Sequence, residues 1–322
     1  MVYIVLLNWN GWQDTITCLE SIKLLNSSKY KVVICDNNST DESYDKISKW
    51  CQHQEVTKSH IDKTEFKELD VTTSKKYKSG VGNGYYLIQT GNNLGYAGGN
   101  NVGIGFAMHQ SDCNYVWLLN NDTTVTPTSL SAILSCMESN KQVGICGSRM
   151  VYENNRQRLQ GFGGILNKSF MTTKHFMEGR PADLKVDSKY VNSQIDYVIG
   201  ASMLLSKELL DDIGFLCEDY FLYYEELDFV IRTKKAGYKV SCAVNSVVYH
   251  KEGASTSGIS DFSDFLQVKN RLVFSKKFFP KQYTLVWLSL ILVFFNRVRK
   301  KKLSQAYRVL KIIALRERAT FK

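Results

Sequence analysis

Short apolar runs rich in Val, Ile and Tyr recur along the first half of the chain, at 2–7, 31–35, 85–89, 115–119 and 143–146. Most are separated by stretches whose apolar positions follow a helical period, at 12–24, 42–50, 97–109 and 128–137. Strands that alternate with helices predict an α/β fold, a Rossmann-like and mostly parallel sheet flanked by helices on both faces. Between 52 and 84 the pattern is lost in a polar Lys/Ser/Thr stretch that ends in GVGNG, which predicts an exposed insertion loop. Near the end, TLVWLSLILVFF (284–295) is too short for the roughly 20 apolar residues that span a bilayer as a helix. After it, Leu303, Ala306, Tyr307, Leu310 and Ala314 share one helical face opposite Gln305, Arg308 and Lys311, the pattern of a basic amphipathic helix lying in an interface.

With 322 residues and 44% hydrophobic content, the chain can form one large domain with an appendage, and disorder is excluded as its default state. Its net charge of +10 is unevenly placed: 14 Lys/Arg against Glu317 alone from Arg271 onward give +13, leaving −3 for everything before. That division predicts an anionic membrane surface, and no nucleic acid, as the partner of the tail. Packing on the body, or on a second copy in a homo-oligomer, is the alternative for these helices. The eight cysteines are scattered without a CxxC, which argues against a zinc or disulfide framework and for a reducing compartment. The opening VYIVLLNWNG has neither the basic start nor the cleavage site of a signal peptide and reads as a buried first strand.

The candidate chemistry lies where strands end. In α/β sheets ligands bind beyond the carboxyl ends of the strands, which is where Asn8, Asp36 and Asn120–Asp122 fall. Asp36, followed by the turn formers Asn37, Asn38 and Ser39, can offer its carboxylate to a base or ribose; a helix cap is the plainer alternative. Asp122 is the one carboxylate of an NND triplet and suits a hard cation that takes its other ligands from substrate phosphates. GNNLGYAGGNNVGIGFA opens a helix and could cradle phosphate, with Asn93 and Gly98 as candidate nucleotide contacts, although it matches neither GxGxxG after a strand nor GxxxxGK[ST]. Within EELDFVIR, Glu225, Asp228 and Arg232 lie along one helix face, where an ion pair is expected, whereas Glu226 points about 100° away, beside Phe221, Tyr223 and Tyr224. A carboxylate there can accept a proton from a sugar hydroxyl. His250 follows a strand-like run and becomes a ligand candidate in the company of Asp122.

Taken in order, IVLLNWNG, CDNNSTDES, NNLGYAGGNNVGI, YVWLLNNDT, DYVIGASMLL, YFLYYEELDFVIR and VVYHKEGAS resemble family 2 of the glycosyltransferases, inverting enzymes with a GT-A fold, and most nearly its rhamnosyltransferase-like branch. The resemblance implies a catalytic domain over 1–270, with a nucleotide-sugar half at 1–125 and an acceptor half at 126–270, followed by basic membrane-associating helices at 271–322. It implies that Trp9 stacks on the nucleobase, Asp36 hydrogen-bonds it and Asn121 lies near the ribose. Asp122 and His250 would hold Mg²⁺ or Mn²⁺, and Glu226, next to Glu225, would be the catalytic base. The implied reaction moves a sugar from a nucleoside-diphosphate donor, dTDP-rhamnose or a UDP-sugar, to a lipid-linked saccharide acceptor in O-antigen or capsule synthesis, at the cytoplasmic face of the cell membrane. A sugar-nucleotide nucleotidyltransferase and a non-catalytic nucleotide-binding scaffold are the competing readings.

Overall fold

A computed structural model describes residues 1–56, 67–72, 75–82, 84–251, 260–318 and 320. The first part of the chain runs β1 (Val2–Asn8), α1 (Trp12–Ile22), β2 (Tyr30–Asp36), α2 (Ser43–Val56), β3 (Lys67–Thr72), β4 (Lys75–Gly82), β5 (Tyr85–Gln89) and α3 (Gly95–Met108). It continues through β6 (Tyr115–Asn120), β7 (Thr123–Val125), α4 (Ser129–Glu138), β8 (Val143–Tyr152), β9 (Leu159–Gly161), β10 (Gly164–Asn167), β11 (Thr172–His175) and α5 (Ser188–Gln194). The last part comprises β12 (Ser202–Ser206), α6 (Lys207–Ile213), α7 (Glu225–Lys235), β13 (Lys239–His250), α8 (Ser260–Phe278), α9 (Tyr283–Arg299) and α10 (Leu303–Leu315).

The main sheet has the order β3-β4-β5-β2-β1-β6-β12-β8-β13-β7, with β9 paired to β8. The run β5-β2-β1-β6 is parallel, as expected of strands joined by helical crossovers. Both flanks depart from that pattern. On one side β3, β4 and β5 pair antiparallel, so the stretch from 52 to 84 is not a loop throughout: it contributes the end of α2 and an edge hairpin. On the other, β12 runs antiparallel to both β6 and β8, and β7 antiparallel to β13.

The two-residue period of a strand divides the core. On β1 and β2, Val2, Ile4, Leu6, Val32 and Ile34 face one way, onto Leu19 and Ile22 of α1 and Ile47 of α2. Tyr3, Val5, Val33 and Cys35 face the other way, onto the α3 side. That second core continues into the tail through Phe265, Leu272, Phe274, Val286, Leu290, Val309 and Ile312. Helix α8 runs without interruption across residue 270, so the inner faces of the tail helices pack on the body.

The burial of α10 differs from the expected amphipathic face: Gln305, Ala306, Val309 and Ile312 are inside, while Leu303, Tyr307 and Leu310 are exposed. Both sides of this helix carry apolar residues, and only one can face the core. On α9, Leu285, Leu288, Leu292 and Phe295 form an outward stripe at helical spacing, and Leu292 is 72% exposed. Among the described residues no helix is long and apolar enough to cross a membrane.

Candidate functional site

The turns after β1 and β2 are stitched together at the carboxyl edge of the sheet. Asn8, fully buried, donates from Nδ2 to Asp36 Oδ1 at 2.8 Å and accepts from Thr15 Oγ1 at 2.9 Å. Asp36, also fully buried, accepts a second bond at Oδ1 from Ser39 Oγ at 2.6 Å and one at Oδ2 from the Ser39 amide at 3.1 Å. Asn121 joins the same cluster by donating to Thr15 Oγ1 at 3.0 Å. The structure thus brings Asn8, Asp36 and Asn121 together, and the Asp36 carboxylate is engaged in fixing the turn. Trp9, partly buried, follows directly on this cluster.

The glycines of α3 serve close packing. A Cβ on Gly99 would collide with Leu7, and one on Gly103 with Val5, so the helix can lie on β1 only without side chains there. Gly98 does not present an anion cradle: a Cβ there would lie 2.8 Å from Leu94 Cβ and 3.6 Å from the Glu218 carboxylate, whose charge disfavours phosphate. Asn93 is exposed, and its Oδ1 accepts from Asn37 Nδ2 and from the Gly95 amide, both at 3.0 Å. Gly95 is the exception in this segment. Its φ of +71° and its approach to Phe221 allow the Tyr96 amide to donate to Phe221 O at 2.6 Å, joining the start of α3 to the acidic turn before α7.

Asp122 and His250 meet as expected. β13 pairs with β7 so that His250 lies opposite Thr123, and the Lys251 amide donates to Asp122 O at 3.0 Å, which fixes the Asp122 backbone. His250 Nε2 stands 3.3 Å from Asp122 Oδ1 in an almost closed setting, with both residues 8% exposed. Asp122 Oδ1 nevertheless accepts no hydrogen bond among the described residues. A buried carboxylate oxygen without a hydrogen-bond donor is costly, and an imidazole nitrogen beside it makes an N/O donor pair suited to a divalent cation. No group of three or more His, Cys, Asp or Glu gathers among the described residues, so a cation at this pair would take further ligands from substrate or water.

Glu225 and Glu226 open α7 after a strained turn. Phe221, Tyr223 and Tyr224 have φ of 62°, 69° and 76°, a left-handed conformation that is unfavourable for bulky residues. Asn270 of α8, buried, holds the turn by donating from Nδ2 to the carbonyls of Tyr220 (2.8 Å), Leu222 (2.8 Å) and Tyr223 (3.1 Å). Asp228, fully buried, binds Arg232 at 2.8 Å as the helical spacing predicts, and also Lys277 of α8 at 2.6 Å and the Tyr220 hydroxyl at 3.0 Å. The base candidate therefore stands on a turn that α8 clamps twice.

The two glutamates differ in setting. Glu225 is 4% exposed, its Oε2 has no hydrogen-bond partner among the described residues, and burial followed by the Glu226 charge pushes its carboxyl well above the usual range. Glu226 is only partly buried, and burial raises its pKa too. Beside it lies Gly200, where a Cβ would be 3.8 Å from Glu226 Cβ. Gly200 O accepts from the Tyr96 hydroxyl at 2.7 Å. Burial, and then the charges of Glu225, Glu226 and Asp122, push the pKa of that hydroxyl well up. Tyr96 and Gly200 stand inside NNLGYAGGNNVGI and DYVIGASMLL without a charge to single them out, and Asn270 lies outside those motifs.

A pH-dependent stability follows from Glu225. Its folded pKa lies above the unfolded value, so the native state binds the extra proton and stability falls as pH rises from the unfolded pKa through the folded one. Glu225→Gln removes that loss. We expect its melting temperature to exceed the wild type's by a few degrees at pH 7.5 and to match it near pH 4, as calorimetry at both pH values would show. An equal gain at both would mean that the ionisation is not the cause.

The sheet order and the strand-end site together define a GT-A glycosyltransferase fold. Among solved structures, GalNAc-T7 with UDP, GalNAc and Mn²⁺ matches with a TM-score of 0.57 at 14% identity, over 78% of this chain and 43% of that one. The mannosyltransferase PcManGT from Pyrobaculum calidifontis, in complex with GDP-Man and Mn²⁺, matches with a TM-score of 0.55 at 13% identity, over 98% and 75%. Residues 73–214 match the family model for glycosyl transferase family 2, and the chain carries a family 2 glycosyltransferase domain. Among curated proteins, the low-salt glycan biosynthesis hexosyltransferase Agl10 of Haloferax volcanii is 23% identical over 288 residues, covering 87% of this chain and 79% of that one. The galactofuranosyltransferase GlfT2 of Mycobacterium tuberculosis is 21% identical over 192 residues, and the match covers only 30% of its length.

Proposed function

We propose that this chain is an inverting hexosyltransferase that moves a sugar from a nucleoside-diphosphate donor to a hydroxyl of a lipid-linked saccharide in glycan biosynthesis. The observation that carries this reading is the meeting of Asp122 and His250 at 3.3 Å, with Asp122 Oδ1 lacking a hydrogen-bond donor among the described residues, at the carboxyl edge of a GT-A sheet. Asp122 and His250 would hold Mg²⁺ or Mn²⁺, which supplies charge neutralisation to the departing diphosphate. Glu226 takes the acceptor's proton as the hydroxyl attacks, its ionised form being the active one. Gly200 lies beside both Glu226 and the Tyr96 hydroxyl, where even a Cβ would stand within 3.8 Å of each. The turn carrying Trp9, kept in shape by Asn8 and Asp36, is the proposed base-stacking edge, and Asn121 lies behind it.

Related proteins support the donor class: PcManGT is seen with GDP-Man, and GalNAc-T7 with UDP. Incubating the purified chain with labelled UDP-, GDP- and dTDP-sugars, dTDP-rhamnose included, and scoring release of nucleoside diphosphate tests the reading. No release from any donor in the presence of Mn²⁺ and cell lipid extract would count against it.

We also propose that the tail attaches peripherally to an anionic membrane on the cytoplasmic side. The outward stripe Leu285, Leu288, Leu292 and Phe295 lies beside exposed Arg299, Lys300, Lys301 and Lys302, and each such cation contributes about 1 kcal/mol near an anionic leaflet. Because Val286 and Leu290 are buried in the core, deleting the tail would confound binding with unfolding. Leu292→Glu with Phe295→Glu leaves the inner face intact. We expect this variant to lose at least tenfold in affinity for phosphatidylglycerol vesicles in a sedimentation assay at unchanged melting temperature; unchanged binding would remove the membrane proposal.

A further inference from the structure

Gln160 lies in β9, which flanks β8 on the side away from β13, and its side chain meets that of His250 across β8. It is 1% exposed, and its Oε1 stands 2.9 Å from His250 Nδ1. An amide oxygen only accepts hydrogen bonds, so Nδ1 must carry the proton, and a neutral imidazole then has a lone pair and no hydrogen at Nε2. That nitrogen is the one 3.3 Å from Asp122 Oδ1, the buried oxygen that receives no hydrogen bond among the described residues. Two electron-pair donors facing each other at this distance repel unless a positive charge, either a second proton on the imidazole or a cation, lies between them.

We propose that Gln160 is a positioning residue that fixes His250 in its Nδ1–H tautomer, so that Nε2 and Asp122 Oδ1 face one divalent cation together. The inference rests on the metal reading above and goes beyond it, because it assigns the orientation of the imidazole to a residue outside every sequence motif. A histidine ligand whose other nitrogen has no acceptor can rotate or change tautomer, and loss of such an outer partner typically weakens metal affinity 10–100-fold. Glutamine suits the position because it accepts the proton-bearing nitrogen's hydrogen bond without adding a second buried negative charge beside Asp122.

The test is Mn²⁺ binding by the full chain, without donor, followed by electron paramagnetic resonance of the free ion and by calorimetry. Gln160→Met keeps the length and removes the acceptor, and is expected to weaken binding 10–100-fold; Gln160→Glu keeps the acceptor and should bind more tightly than Gln160→Met. Asp122→Ala separates the two readings. If Asp122→Ala loses Mn²⁺ and Gln160→Met does not, the metal site stands and the role of Gln160 falls. If Asp122→Ala binds like wild type, or wild type does not bind, both fall. Should Gln160→Met fail to fold, nitrogen–proton correlation spectra of His250 in the metal-free wild type decide the matter: a proton on Nδ1 supports the proposal and a proton on Nε2 overturns it.

Discussion

Asp122→Ala is expected to lower sugar transfer by about three orders of magnitude, corresponding to about 4 kcal/mol of transition-state stabilisation. Asp122 is the one carboxylate of the NND triplet, and its backbone is held between β6 and the Lys251 amide. Removing it leaves His250 as a lone neutral ligand, which holds hard Mg²⁺ poorly and Mn²⁺ somewhat better. The loss should therefore be less complete with Mn²⁺ than with Mg²⁺. Transfer assays with each ion and with excess chelator check the prediction. Full turnover in chelator, or a variant retaining a tenth of wild-type rate, would remove the metal from the mechanism.

Glu226→Gln should bind the donor normally and lose transfer by about 10²- to 10⁴-fold, because the amide keeps size and polarity but accepts no proton. Glu226 is the partly exposed member of the pair, whereas Glu225 is enclosed with an oxygen that has no partner among the described residues, so Glu225→Gln should have the milder effect on rate. The raised pKa of Glu226 adds a second signature: the wild-type rate should climb with pH through a carboxyl ionisation above the ordinary range, and the variant should lack that rise. If Glu225→Gln proves the more damaging, the base is the neighbouring residue and the account of the site shifts by one position.

Much of this arrangement is legible in the sequence because it depends on local pattern. The apolar runs at 2–7, 31–35 and 115–119 became β1, β2 and β6, and the polar residues that end them became the site edge. The Asp228–Arg232 pair is a matter of helical spacing alone. What stayed hidden depends on long-range contact. The β3–β4 hairpin is an edge addition with no apolar alternation to mark it, and β12 carries no signal that it runs against its neighbours. Glycine richness in α3 suggested phosphate binding, yet Gly99 and Gly103 answer to Leu7 and Val5, distant in sequence. On α10 both faces carry apolar side chains, and only the packed structure decides that Gln305 goes inside and Leu310 outside. Residues 57–66, 73–74 and 83, within the stretch expected to be a loop, lie outside the described residues.

Asn270 belongs to the tail, yet the carbonyls it holds belong to the turn that presents Glu226. With Lys277 on Asp228, it makes α7 and α8 a single cooperative unit, so amide exchange in both helices should respond together when either is perturbed. The natural seam for exchanging the rest of the tail is thus the 279–282 segment between α8 and α9. A chimera joined there keeps both clamps and needs side chains equivalent to Val286, Leu290, Val309 and Ile312 to close the core, whereas one joined before α8 would leave the strained backbone to relax and carry the proposed base away with it.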